Sequence, residues 1–157
     1  MILDSLILQA KLFLQEDMGM EIKDVTTFNS EEEKLTLKDY TSMIGAGGEL
    51  NILVIISYED KMLNQLVNLF MDGEEVSAEE AQEIKDSVSG EVINTIIGLA
   101  LPTFPNRGKG VTITPPITVN DASNITKHKN SKIVSVNIAT NYGEVSLSAV
   151  GPADVLK

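Results

Sequence analysis

Between Ile2 and Met18 the apolar residues Leu3, Leu6, Ile7, Ala10, Phe13, Leu14 and Met18 recur at steps of three and four. That is the period of a helix with one buried face. Gly19 is placed to stop it. Glu21-Ile22-Lys23-Asp24-Val25 then alternates as a short strand would, and Ser30-Glu31-Glu32-Glu33 reads as a solvated acidic turn. Strand-like runs follow at about Lys34 to Leu37, Tyr40 to Gly47 and Glu49 to Ser57. The last of these contains Ile52-Leu53-Val54-Ile55-Ile56, rich in β-branched side chains that suit a pleated surface. Gly45-Ala46-Gly47-Gly48 is read as a strand bend or hairpin turn, because the Gly-Lys-Ser/Thr of a phosphate loop does not follow it.

Ser57 followed by Asp60 has the spacing of a capping box, and it predicts a helix through Leu63, Leu66, Val67 and Phe70 that Asp72-Gly73 closes. Ser77 with Glu80 repeats the signal and opens a longer helix, from about Ala78 until Pro102 ends it. A loop at Pro105-Asn106-Arg107-Gly108-Lys109-Gly110, a strand near Val111 to Thr114 and the turn pair Pro115-Pro116 come next. Two last strands are predicted at Ser131 to Ala139 and Glu144 to Val150, joined as a hairpin through Thr140-Asn141-Tyr142-Gly143. The order helix, strands, two helices, strands predicts an α+β fold, a largely antiparallel β-sheet covered by helices.

One segment does not fit a purely structural pattern. After Glu91 the run to Leu101 is almost wholly apolar, yet it contains Asn94. A buried, unpaired carboxamide there would cost a few kcal/mol. At 100° per residue Ser87, Glu91, Asn94 and Gly98 fall within about 60° of arc, beside a core face formed by Ile84, Val88, Val92, Ile96 and Leu99. The polar stripe is therefore expected to be exposed. Its spacing alone carries little weight: with 14 Glu and 11 Asn in 157 residues, about one Glu-x-x-Asn is expected by chance, and one is found.

Length and charge narrow the possible functions. A chain of 157 residues with 43% apolar content suits a single domain, residues 1–157, with one core. Twelve basic against 23 acidic side chains, a net charge of −11, argue against a nucleic-acid partner, which needs a cationic face. There is no cysteine, which excludes disulfides and thiolate metal sites and fits a reducing cytoplasm. The apolar opening Met1-Ile2-Leu3 lacks a cationic start and contains Asp4, and polar residues from Gln9 onward break it well short of a membrane span. His128, between Lys127 and Lys129, reads as a solvated loop residue. Glu74, Glu75, Glu79, Glu80 and Glu83 crowd a helix start, where they offset the dipole.

Ser87, Glu91 and Asn94, with Pro115-Pro116 some twenty residues on, resemble the motif of the CheC/CheX-type chemotaxis phosphatases: Asp or Ser, then Glu four later, Asn three after that, and a distal proline. The family's usual gap falls at Ile117, one residue beyond Pro116. Gly19-Met20-Glu21-Ile22 after the first helix and Ile44-Gly45-Ala46-Gly47-Gly48-Glu49-Leu50 before the second are also similar to that family, so the likeness spans roughly residues 1 to 119. The first helix has no Glu-x-x-Asn, which resembles the CheX-like group with one motif per chain. The resemblance implies a hydrolase acting on the aspartyl phosphate of a CheY-like response regulator, with Glu91 and Asn94 as catalytic residues and Ser87 as a partner contact. It implies no cofactor on this chain, the Mg²⁺ belonging to the regulator, and a homodimer formed through the sheet. The strands from Ile133 to Ala139 and Val145 to Val150, proline-free and β-branched, are expected to form that interface by an exposed edge. The alternative within the same fold is a non-catalytic adaptor or flagellar-switch-type docking module.

Overall fold

The computed structural model describes residues 2–30, 34–120, 122–126 and 130–156. The acidic run Glu31-Glu32-Glu33 and the Lys127-His128-Lys129 loop lie outside the described residues. Helix α1 (Ile2–Leu12) buries Ile2, Leu6 and Ala10 and passes into a π-helical turn, Phe13–Asp17, before Gly19 at φ +65° turns the chain away. Strands β1 (Ile22–Ser30), β2 (Lys34–Thr36), β3 (Tyr40–Gly48) and β4 (Ile52–Tyr58) follow. Helices α2 (Asp60–Phe70) and α3 (Ala81–Ala100) come next, then strands β5 (Val111–Ile113), β6 (Ile117–Val119), β7 (Asn124–Thr126), β8 (Ser131–Thr140) and β9 (Gly143–Pro152).

The main sheet runs β1-β8-β9-β4-β3-β5, with β6 also paired to β3, and the pairings are antiparallel. β2 and β7 form a separate two-stranded ladder. Alternation along the strands sorts the two faces. Val134, Val136 and Ile138 of β8, Val145, Leu147 and Ala149 of β9, and Ile52, Val54, Ile56 and Tyr58 of β4 join one core with Leu6, Leu66, Val92 and Ile96 from the helices. The opposite face carries Ser135 and Ser148, paired at 2.8 Å, and Thr41 and Ser57, also at 2.8 Å. The α+β class with a helix-covered antiparallel sheet is as the sequence predicts.

Several local readings are corrected. β1 is nine residues long because it pairs with β8 from Ile22 to Ser30, a partner that the local pattern does not contain. The glycine-rich stretch lies inside β3, where Gly47 and Gly48 pair with Thr112 and Val111. Ser57 does not cap α2: its hydroxyl accepts from the Lys38 amide at 2.7 Å, and Asp39 caps instead, Oδ2 accepting from the Asp60 amide at 2.9 Å. Helix α3 begins at Ala81 rather than Ala78, although Ser77 Oγ does accept from the Glu80 amide at 3.3 Å. Strands β6 and β7 were not legible, being three residues each.

The expected edge is the largest correction. β8 is flanked by β1 and β9, and β9 by β8 and β4, so their ladders are already satisfied on both sides. Neither can offer an unpaired edge to a second chain. No helix among the described residues is long and apolar enough to cross a membrane.

Candidate functional site

The stripe is set on α3, and α3 is held at its underside. Val88, Val92, Ile93, Ile96, Ile97 and Ala100 are buried, which fixes the helix against α1, α2 and β3. Leu99, expected on the core face, is 52% exposed, while Ile96, Ile97 and Ala100 around it are buried, so the core face at this end of the helix lies to the side of Leu99. A polar seam adds precision to the apolar contact. Ser89 is fully buried; its hydroxyl accepts from Ser42 Oγ at 2.8 Å and donates to the Asp86 carbonyl at 3.1 Å. The Tyr58 hydroxyl donates to the Ser89 carbonyl at 3.3 Å, and burial pushes its ionisation far above the usual range, so it stays a neutral donor.

With the underside fixed, Ser87, Glu91, Asn94 and Gly98 all face solvent. Among the described residues the side chains of Ser87, Glu91 and Asn94 have no hydrogen-bond or ion-pair partner. The structure thus brings the three predicted site residues onto one open ridge, one helical turn from each other. A carboxylate and a carboxamide kept exposed and unpaired in the largely apolar second half of the helix have their full capacity available to an incoming molecule.

Two glycines mark the borders of this ridge. A Cβ at Gly90 would lie 3.1 Å from Pro116 Cγ and 3.5 Å from its Cβ, so the proline ring sits against the helix directly before Glu91. Pro115, by contrast, is exposed. Of the two prolines, Pro116 is the one that packs on the motif helix. Thr118, two residues on, reaches Asp86 one turn further back, so the segment from Pro116 to Thr118 runs antiparallel along the helix. A Cβ at Gly98 would meet nothing within 4 Å. No strand of this chain therefore lies against Gly98, which leaves an open patch beside Asn94.

Asp86 was missed by the sequence reading. It precedes Ser87 and accepts on Oδ1 from the Tyr40 hydroxyl, from Thr118 Oγ1 at 3.1 Å and from Gln82 Nε2 at 3.2 Å. An acidic residue on a helix flank ordinarily reads as solvated, and its donors come from strands 32 and 46 positions away in sequence. Among the described residues no group of three or more His, Asp or Glu side chains could hold a metal ion. A groove of about 610 Å³ lies between the segment from Lys34 to Lys38 and the other face of the sheet, on the side away from the ridge.

Comparison with known proteins places these features. The family model described as chemotaxis phosphatase CheX matches residues 40–139, which include the whole of α3 and Pro116. No curated protein sequence matches the chain. Among solved structures, a chemotaxis protein CheX from Desulfovibrio desulfuricans superposes with a TM-score of 0.80 at 15% identity, over 94% of this chain and 97% of that one. The CheX-CheY-BeF3-Mg complex from Borrelia burgdorferi gives 0.74 at 16% identity, over 96% and 97%. Thermotoga maritima FliY gives 0.59 at 20% identity, over 94% and 84%. At these identities the structures establish a shared fold.

Proposed function

The chain belongs to the chemotaxis phosphatase CheX family, and on that premise we propose that it hydrolyses the aspartyl phosphate of a CheY-like response regulator, with Glu91 and Asn94 as the catalytic pair. The observation that carries the reading is the exposed, unpartnered placement of both side chains on a helix anchored on its underside by Val88, Val92, Ile93, Ile96 and Ile97. Hydrolysis of an aspartyl phosphate asks little of a second protein except positioning, since the regulator carries its own lysine and the Mg²⁺ that neutralises the phosphoryl oxygens.

Asn94 presents an acceptor and two donors in one planar amide. It can orient a water in line with phosphorus while adding no negative charge to repel the phosphoryl group. Glu91 stands on an exposed face and can accept from the regulator's lysine, which fixes the ridge in register over the pocket. Ser87, one turn back, extends that contact. The chain's charge of −11 has the same sign as a regulator's acidic phosphorylation pocket, and the neutral side chains of Ser87 and Asn94 limit the repulsion where the two surfaces meet. On this reading the protein acts in the cytoplasm, with the regulator.

The homodimer is retained in altered form. With the β8 and β9 edges closed, a second copy would meet Phe28, 53% exposed on the edge strand β1, and Ile117, 63% exposed on β6. That arrangement leaves both ridges open. FliY shares the fold, and the rival reading on that fold is a docking module without turnover. One experiment separates them: mix the chain with a phosphorylated CheY-like regulator and follow phosphate release in a single turnover. Accelerated release that Asn94→Ala abolishes supports the phosphatase; binding without release supports the module.

A further inference from the structure

We propose that Asp86 is a positioning residue that orders the N-terminal half of the motif ridge, so that Ser87 and Glu91 meet the regulator at a fixed angle. This rests on the phosphatase reading for its consequence, but the ordering itself is a property of the helix. Apolar packing does little to hold that part of α3. From Ala81 to Ser87 no residue is buried, and the first core side chain is Val88. Ile84 packs only partly against the core. Two helical turns therefore project with little apolar contact, and Ser87 stands at their end.

What fixes them is the cluster around the Asp86 carboxylate. Tyr40 lies in β3 and is 3% exposed; its hydroxyl donates to Asp86 Oδ1 and accepts from Gln82 Nε2 at 3.0 Å. Gln82 also donates to Asp86 Oδ1 at 3.2 Å, closing a three-membered ring of side chains. Thr118 of β6 adds a fourth group at 3.1 Å. One acceptor oxygen thus ties two turns of α3 to two strands, and the strand segment it reaches through Thr118 is the one whose Pro116 presses on Gly90.

A second tie lies one turn on, where Ser42 and Tyr58 bond to Ser89. Apolar packing alone tolerates small rotations and slides of a helix, whereas hydrogen bonds to a charged acceptor are set within a few tenths of an ångström. Two separated ties fix the rotation of this segment about its axis. Asn94 stands beyond both of them, over Ile93, Ile96 and Ile97, and is oriented by the core itself. Loss of Asp86 should therefore loosen the end that captures the regulator and spare the end that carries Asn94.

The test compares Asp86→Leu, which keeps bulk and removes the acceptor, with Asp86→Asn, whose Oδ1 can accept from the same three donors. Backbone amide exchange and steady-state hydrolysis of a phosphorylated CheY-like regulator are both measured on the full chain. In Asp86→Leu the amides from Lys85 to Gly90 are expected to exchange about ten-fold faster while those from Ile93 to Ala100 keep the wild-type rate. KM is expected to rise about five-fold with kcat within about two-fold, and Asp86→Asn to stay within about two-fold of wild type in both. Equal acceleration along the whole helix, or none, would overturn the proposal, as would a fall in kcat at unchanged KM. If the wild-type chain releases no phosphate, the phosphatase reading fails, and the exchange pattern still decides whether Asp86 orders the ridge.

Discussion

Placing one methyl group at two positions of α3 should have opposite effects. Gly98→Ala adds a Cβ where nothing lies within 4 Å. The only term left is helix propensity, which favours alanine by about 0.8–1 kcal/mol. For a chain of 157 residues that is a rise in Tm of about 2–4 °C. Gly90→Ala has the same propensity gain, but its Cβ arrives 3.1 Å from Pro116 Cγ. The proline ring is stiff and is anchored by Thr118 two residues on, so it cannot swing aside as a long side chain would. Overpacking of this kind costs about 1–3 kcal/mol. The net is a loss of up to about 2 kcal/mol, a fall in Tm of several degrees. Urea or thermal unfolding followed by circular dichroism measures both. If Gly98 is kept open because the regulator approaches the helix backbone there, Gly98→Ala will be the more stable protein and the poorer phosphatase. A destabilised Gly98→Ala, or a Gly90→Ala as stable as Gly98→Ala, would refute this account of how α3 is packed.

Three further outcomes are expected. Asn94→Ala should keep its fold and its affinity for the regulator while dephosphorylation falls at least about ten-fold, because an exposed positioning group acts on the transition state and not on the core; unchanged single-turnover rates would remove Asn94 from the mechanism. Glu91→Ala should weaken capture as well as slow hydrolysis, with Glu91→Gln milder, since an uncharged acceptor keeps part of the lysine contact; calorimetry that finds intact binding beside collapsed turnover would assign Glu91 to the chemistry alone. The chain should sediment as a dimer at micromolar concentration, and Phe28→Glu or Ile117→Glu should return it to a monomer with its phosphatase activity kept; a wild-type monomer would end that proposal.

What the sequence determined by itself was periodic. The three- and four-residue steps of α1, α2 and α3, the alternation in β8 and β9 and the turn signal at Thr140 to Gly143 between them are local facts, and a residue's face follows from its position within them. For the same reason the ridge was legible: Ser87, Glu91 and Asn94 share an arc whatever the helix packs against, and the buried neighbours Val88, Val92 and Ile96 decide which way it looks. Tertiary structure decided everything that depends on a partner distant in sequence. Asp39 replaced Ser57 as the cap of α2, and β1 was extended by its pairing with β8. β8 and β9 became interior strands because β1 and β4 close on either side of them, which removes the edge expected for a second copy. Asp86 belongs to this second group. Its charge was visible in the chain, but its function as an anchor exists only where Tyr40 and Thr118 bring their hydroxyls to it, because a hydrogen bond is fixed by distance in space and leaves no period in the sequence.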